Sequence, residues 1–118
     1  MTRAIRLRRT GGPEVLVLGE IELPEPKAGE APVRHHAIGL NLIDTYRRSG
    51  SYPLPLPSGL GAEAAGMVER VGPGVTSIRV GQRVAYAASG APAAYADARL
   101  VAADRLVPLP ENSTLLTV

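Results

Sequence analysis

Glycine and proline interrupt this sequence so often that only short elements fit between the breaks. The chain has 13 glycines and 11 prolines among 118 residues, and clusters of them recur about every ten residues. Such clusters mark turns, because proline fixes φ and glycine permits positive φ. The segments between them alternate polar and apolar residues, the period of a half-buried strand. We therefore predict strands over residues 2–9, 15–23, 31–39, 64–71, 75–80, 83–88, 93–102 and 105–107.

The stretch from Leu40 to Gly66 departs from this β pattern. Residues 41–49 have the spacing of a short helix, with Asn41 placed to cap its start and Gly50 to end it. Residues 51–57 must be extended, since each of the three prolines fixes its own φ and restricts its predecessor. Several short strands around one inserted helix predict a small all-β barrel or sandwich.

The composition limits the class of protein and its partners. A length of 118 residues suits one domain. The absence of cysteine excludes disulfides, thiolate nucleophiles and cysteine-ligated metals. No run of about 18 apolar residues occurs and the N-terminus lacks the apolar core of a signal peptide, so we expect a cytoplasmic protein without a membrane partner.

A group of arginines and a pair of adjacent histidines could indicate binding sites, but a structural role explains each of them better. Four arginines (residues 3, 6, 8 and 9) lie on the first predicted strand, but no aromatic residue is interleaved for base stacking and the net charge is only +2. We interpret them as a solvated strand face and expect no nucleic-acid partner. His35 and His36 are adjacent on a strand and point to opposite faces, so they cannot converge on one metal.

Three segments together are characteristic of one family: AIRLRRTGGPEVL, AIGLNLIDTYRRSGSYPLPLPSGLGAEAAGMVERVGPGV and VGQRVAYA. They resemble the N-terminal half of a zinc-independent quinone oxidoreductase, the zeta-crystallin-like branch of the medium-chain dehydrogenase/reductases. The resemblance implies a mainly β fold over residues 1–110, a GroES-like, partly open β-barrel with one or two short helices that forms the catalytic domain. Residues 111–118 would then be a tail that starts the link to a nucleotide-binding Rossmann domain missing from this sequence.

The resemblance also bears on cofactors and assembly. Zinc-dependent relatives carry a cysteine where Asn41 stands and a histidine where Ala62 stands, and neither residue present here can ligate zinc. No zinc or other metal is therefore expected. NADPH is expected as the cofactor, bound mainly by the missing domain. The complete protein is expected to be a homodimer, and the fragment a monomer that is inactive alone.

Five residues are site candidates by resemblance. Asn41 and Tyr46 would contact the nicotinamide side of NADPH, and Tyr52 would stand over the quinone pocket. Glu63 would be an orienting carboxylate, and Asp44 would orient either Arg48 or the Asn41 end of the helix.

Each candidate also has a purely structural explanation. Asn41 is a favoured helix cap whatever the function. Asp44 and Arg48 have the spacing of an ordinary surface ion pair. Tyr46 and Tyr52 would serve as core or interface rings, and Glu63 as a buried carboxylate paired to an arginine.

The sequence therefore favours one function and leaves three alternatives open. The favoured function is transfer of a hydride from NADPH to a quinone or another small electrophilic acceptor, without zinc. The first alternative is an enone or enoyl reductase of the same superfamily. The others are a non-catalytic RNA- or protein-binding module and a co-chaperonin-like ring subunit.

Overall fold

A computed structural model of the protein describes residues 2–87 and 91–110. Within these residues the chain forms eight strands and one α-helix, with short 3-10 helices at Pro13–Val15 and Ala103–Arg105. The elements in chain order are β1 (Thr2–Leu7), β2 (Val17–Ile21), β3 (Glu30–Ile38), α1 (Leu42–Ser49), β4 (Ser58–Gly59), β5 (Glu63–Val68), β6 (Arg83–Ala87), β7 (Ala98–Ala102) and β8 (Val107–Pro108). The predicted tail, residues 111–118, lies outside the described residues.

The strands form two open antiparallel sheets. One has three strands in the order β2-β1-β4, and the other has five in the order β7-β3-β5-β6-β8. The sheets meet where the segment before β7 runs along β1: Ala4 and Ala96 form a β-bridge, and Ile5 N–H donates to the Tyr95 carbonyl at 2.8 Å. This architecture confirms the predicted mainly β fold, and the two sheets are not closed into a continuous barrel.

Two apolar clusters hold the sheets together. The larger lies on the five-stranded sheet and consists of small and branched side chains with the ring of Tyr86. The smaller joins Leu7, Val15 and Leu60 beneath the three-stranded sheet, with Tyr95 packed against it. A core without phenylalanine or tryptophan is therefore closed by valine, leucine, isoleucine, alanine and two tyrosines.

Helix α1 begins and ends where the sequence predicts. Asn41 is the N-cap residue with extended backbone angles, and Gly50 has φ 94° at the C-terminal end, a conformation that favours glycine. The Gly50 N–H donates to the Tyr46 carbonyl at 3.1 Å. Within the described part of the chain, no helix is long and apolar enough to cross a membrane.

Strands β3 and β5 approach each other very closely at Gly66. A Cβ added there would overlap the carbonyl oxygen of Arg34, so only glycine leaves room for the paired backbone. A register shift between His35 and Ala37 follows on the facing strand. Both features lie at the end of β3 that leads toward α1, and they place Ile38 opposite Ala64 at the mouth of the site.

Several predicted strands differ from the structure. Residues 75–80 are irregular rather than a strand, because glycine and proline flank this segment. Val75 and Ile78 nevertheless pack into the larger cluster from this loop. The second strand starts at Val17 rather than Val15, since Pro13 favours the start of a short 3-10 helix. Residues 93–97 are irregular, and β7 starts at Ala98. Residues 88–90, part of a predicted strand end and turn, lie outside the described residues.

The arginines of the first strand do not form one group. Arg3 is bound to Asp97, with Nε at 3.0 Å from Oδ2, and this contact lowers the pKa of the Asp97 carboxyl. Arg6, Arg8 and Arg9 line a separate groove together with Glu14 and Glu20. The prediction of one arginine cluster on a single strand face is therefore wrong for Arg3, and the remaining positive charge lies beside two carboxylates.

Candidate functional site

The start of helix α1 brings two of the predicted site residues into contact. Asn41 lies between the end of β3 and the first helical turn, and its side-chain Nδ2 donates a hydrogen bond to Glu63 Oε2 at 3.2 Å. Glu63 is the first residue of β5, and its carbonyl accepts the Gly39 N–H at 3.1 Å. These two residues, 22 positions apart, are brought together because β3, which precedes Asn41, pairs with β5, which begins at Glu63.

Gly39 makes room for the Glu63 side chain. A Cβ added at Gly39 would lie 2.5 Å from Glu63 Cγ, so the carboxylate arm rests against bare backbone. Glu63 is exposed to solvent, and its described partner is the Asn41 amide rather than an arginine. The alternative of a buried Glu63 paired to an arginine is therefore wrong, and the carboxylate is free to orient the amide.

Asp44 is the buried carboxylate of the site. Its side chain is 3% exposed, and its Oδ2 accepts hydrogen bonds from the Asn41 N–H at 3.0 Å and the Tyr95 hydroxyl at 2.6 Å. Its other oxygen, Oδ1, is buried and has no hydrogen-bond partner among the described residues. Asp44 thus secures the Asn41 end of the helix.

The predicted surface pair of Asp44 with Arg48 is wrong. Arg48 turns away from Asp44, and its Nε donates to the Gly11 carbonyl at 3.2 Å. The Gly11 N–H in turn donates to the Arg48 carbonyl at 2.9 Å. Arg48 therefore fastens the end of α1 to the loop after β1, while Asp44 fastens its start.

Tyr95 is the residue that sequence reasoning missed. Burial is the main cause that raises its pKa, and the hydrogen bond and negative charge of Asp44 raise it further, so the phenol stays neutral and donates. The contact joins residues 51 positions apart, and no local spacing in the sequence signals it. The only available hint was composition, since Tyr95 is one of four tyrosines in a chain without other large rings.

Tyr46 and Tyr52 form an aromatic pair on the open side of the helix. Their ring centroids are 5.5 Å apart and the rings are tilted by 59°. The Tyr52 N–H donates to the Tyr46 carbonyl at 3.2 Å, which folds the proline-rich loop back against the helix. The rings are 39% and 51% exposed, so the alternative that they are core rings is wrong.

Two cavities open beside Glu63. One, of about 330 Å³, is lined by Asn41, Arg47, Ala62, Glu63 and Arg99 among others. The other, of about 480 Å³, lies on the face of the five-stranded sheet and is lined mostly by alanines and glycine, with Tyr86 and Val107. Small side chains on this face leave space that a flat ring could fill beside the carboxylate.

His35 lies below this site and is fully hydrogen-bonded. Its Nδ1 donates to the Ala96 carbonyl at 2.8 Å, so its Nε2 accepts from the Tyr86 hydroxyl at 2.8 Å in the neutral ring. Burial lowers the pKa of His35 and thus favours this neutral form. Among the described residues, no group of three or more His, Cys, Asp or Glu side chains could hold a metal ion.

Comparison with known proteins places this geometry in context. The family model of the alcohol dehydrogenase GroES-like domain matches residues 27–111. A quinone oxidoreductase of Pseudomonas aeruginosa is 52% identical over 113 residues, which are 95% of this chain and 34% of that protein. A 2-haloacrylate reductase of Burkholderia sp. is 39% identical over 120 aligned positions, covering 98% of this chain and 35% of that protein.

A solved structure agrees with the fold. The crystal structure of Escherichia coli quinone oxidoreductase complexed with NADPH superposes with a TM-score of 0.91 at 47% identity. The match covers 98% of this chain and 35% of that one. The chain therefore spans about one third of the length of the relatives it matches.

Proposed function

The chain belongs to the alcohol dehydrogenase GroES-like domain family, and we propose that it supplies the N-terminal catalytic domain of an NADPH-dependent quinone oxidoreductase. In this proposal residues 1–110 form the catalytic domain, and residues 111–118 start the link to a nucleotide-binding domain. Similarity to quinone oxidoreductases at about half of the positions supports the reaction class. Because these relatives are about three times as long, their length is consistent with a separate nucleotide-binding domain in the complete protein.

The observation that carries the proposal is the contact of the Asn41 amide with Glu63 at the start of α1. Tyr46 on the same helix and Tyr52 in the loop after it form an exposed aromatic pair. A primary amide offers both a donor and an acceptor, which matches the carboxamide of a nicotinamide ring. The two tilted, exposed rings offer apolar faces to a planar acceptor.

We propose that this domain would contact only the nicotinamide end of NADPH. Asn41 lines an open cavity and Tyr46 is partly exposed, so both are accessible to a ring brought by another domain. When bound, NADPH supplies the hydride for reduction. Asn41 and Tyr46 would hold its nicotinamide, and the chain's own task would be to orient that ring and exclude water from it.

The other candidates have supporting roles in this proposal. Tyr52 would contact the quinone, and its hydroxyl would donate a hydrogen bond to the oxygen on which negative charge develops. Glu63 would fix which way the Asn41 amide points, and Asp44 would hold the helix start. Asn41 and Ala62 offer no thiolate or imidazole, so we propose a reaction without zinc.

A second acceptor class has a specific observation in its favour. One relative is a 2-haloacrylate reductase, and a 2-haloacrylate contains an activated carbon–carbon double bond. A 2-enone presents the same polarised oxygen to Tyr52 as a quinone does. Complete protein offered matched quinones and 2-enones would decide between them, and the ratio of kcat/KM values would identify the preferred class.

The remaining features of the complete protein follow the same reasoning. A homodimer is proposed for the complete polypeptide, and the isolated domain is proposed to be a monomer. A cytoplasmic location is proposed because the sequence has no cysteine to form disulfides. The groove of Arg6, Arg8 and Arg9 also contains Glu14 and Glu20, which does not favour a nucleic-acid function.

The test is NADPH oxidation by the complete polypeptide, followed by loss of NADPH absorbance with a small quinone as acceptor. Turnover is expected from the complete polypeptide and none from residues 1–118 alone. Asn41→Ala should lower kcat/KM by about tenfold to a hundredfold, because positioning of the reacting ring is lost. Ser49→Ala, an exposed change on the same helix, is the matched control. Absence of turnover with every quinone and enone would refute the proposal.

A further inference from the structure

The start of helix α1 is held by a carboxylate, and no apolar side chain of the helix is fully buried. Asp44 is its one buried residue within the described chain, at 3% exposed, whereas Leu42 is 66% exposed. A short helix normally docks through an apolar stripe. Here the position of the helix start depends on the hydrogen bonds of one acidic side chain.

Those hydrogen bonds form a connected series that ends at the proposed site. The Tyr95 hydroxyl and the Asn41 N–H both donate to the same oxygen of Asp44, at 2.6 and 3.0 Å. The side chain of Asn41 then donates to Glu63 at 3.2 Å. Tyr95 is therefore two hydrogen bonds away from the residue proposed to hold the nicotinamide.

Tyr95 itself is rigidly held. Its N–H donates to the Leu60 carbonyl at 2.8 Å, and its own carbonyl accepts the Ile5 N–H at 2.8 Å. Its ring packs against the smaller apolar cluster. A Cβ added at Gly61 would lie 2.6 Å from the ring, so the absence of a side chain there admits the tyrosine. A fixed backbone and a packed ring make the hydroxyl a fixed reference point for Asp44.

We propose that Tyr95 is a positioning residue of the site, which sets the orientation of Asn41 through Asp44. The inference rests on the proposed function for its catalytic consequence, and on geometry alone for its structural one. Tyr95 does not touch the acceptor or the cofactor in this account. Its hydroxyl keeps a charge-assisted hydrogen bond on the buried carboxylate, and hydrogen bonds of this kind are the strongest that a neutral donor makes.

The structural arm of the test uses the chain as it is. Tyr95→Phe removes one hydroxyl and keeps the ring, so the fold should remain. The backbone and side-chain amide resonances of Asn41 should move in the ¹H–¹⁵N NMR spectrum, because Asp44 loses one of its two donors. Tyr86→Phe is the control, since it removes a phenol hydroxyl that contacts His35 instead, and it should leave the Asn41 resonances in place.

The kinetic arm uses the complete polypeptide. Tyr95→Phe should lower kcat about tenfold while KM for the quinone changes less than about threefold, as expected for a misplaced reacting group. Arg3→Gln, which breaks a surface contact to the same segment, should leave kcat unchanged. In an Asp44→Ala background, Tyr95→Phe should cause no further loss, because its partner is already absent.

The outcomes separate this inference from the proposed function. Unmoved Asn41 resonances, or moved resonances with an unchanged kcat, would overturn the positioning role. An additive loss in the double variant would overturn it too, since Tyr95 would then act independently of Asp44. If the wild-type polypeptide has no turnover, the proposed function fails, and the resonances alone decide whether Tyr95 orients Asn41.

Discussion

The five-stranded sheet and helix α1 bury opposite kinds of side chain, although they lie next to each other. The sheet buries valine, isoleucine and alanine in the usual manner. The helix buries Asp44 and leaves Leu42 and Tyr46 partly or largely exposed. The sheet is therefore stabilised by its own apolar core, whereas the helix is held in position by a few hydrogen bonds, which are directional and can fix the geometry of a site.

The largest expected effect contrasts Ile78, a loop residue that packs into the larger cluster on the sheet, with Leu42 of helix α1. Ile78→Ala should lower the free energy of unfolding by about 2–5 kcal/mol, because it leaves a cavity in the larger cluster. Leu42→Ala should change it by less than about 0.5 kcal/mol, since Leu42 is already exposed. Urea denaturation measures both. Equal losses at the two positions would show that the helix also depends on apolar packing.

The next effect concerns the carboxylate of the helix. Asp44→Ala should cost about 1–3 kcal/mol, because the Tyr95 hydroxyl and the Asn41 N–H both lose their acceptor. Asp44→Asn should cost less, as its amide oxygen still accepts. The exposed Asp104→Ala serves as the control in the same thermal and denaturant unfolding measurements. A loss at Asp44 no larger than at Asp104 would contradict the role of the carboxylate as an anchor.

Alkaline titration compares Tyr86, which is buried in the sheet, with Tyr95, which is half-buried and contacts helix α1. Burial raises the pKa of Tyr86 from 10.0 to about 12, and Asp44 contributes to the raised pKa of Tyr95. Because the folded pKa is the higher one, the stabilisation is complete below about pH 10 and is lost as pH rises toward 12. Tyr86→Phe should reduce the loss of unfolding free energy over this pH range by up to about 1.4 kcal/mol per pH unit.

The titration also tests whether a change in helix α1 affects the five-stranded sheet. In Asp44→Asn the pKa of Tyr95 should fall while that of Tyr86 stays near 12, as measured by NMR of labelled tyrosine rings. Loss of a charged acceptor on the helix should have no effect on a phenol that contacts His35 in the sheet. A parallel fall in both pKa values would mean that the two regions are electrostatically coupled.

The smallest effect belongs to the sheet. Burial lowers the pKa of His35 below its ordinary 6.5, so the unfolded chain binds a proton more readily. Stability should therefore be intact above about pH 6.5 and decline as pH falls below it. His35→Gln should flatten this decline, whereas the exposed His36→Gln should not. Unfolding curves at a series of acidic pH values provide the measurement.

Local patterns predicted the regular parts of the fold. The cap at Asn41, the glycine at the end of α1 and the alternating strands β3, β5 and β6 follow from short-range rules, and the structure confirms them. Ile78 shows the limit of such rules. An apolar residue in a turn-rich segment looks like a strand residue, because sequence alone does not reveal that a loop carries it into the core.

The candidate site was predictable in its members and not in its connections. The resemblance named Asn41, Asp44 and Glu63, yet the surface pairing assigned to Asp44 and the buried pairing considered for Glu63 were both wrong. Their actual partners lie on other elements, as Tyr95 does 51 positions from Asp44. A hydrogen bond of that span depends on how the two sheets meet, and no spacing rule encodes it.

The close approach at Gly66 limits how this domain can diverge. If a library of all single substitutions were selected for folded protein, only glycine should be recovered at position 66, because any side chain would overlap the Arg34 carbonyl. Gly19 in β2 should accept many residues, since an added Cβ there meets nothing within 4 Å. Position 66 should therefore stay glycine as related sequences diverge, whereas position 19 should vary, although both are glycines in strands.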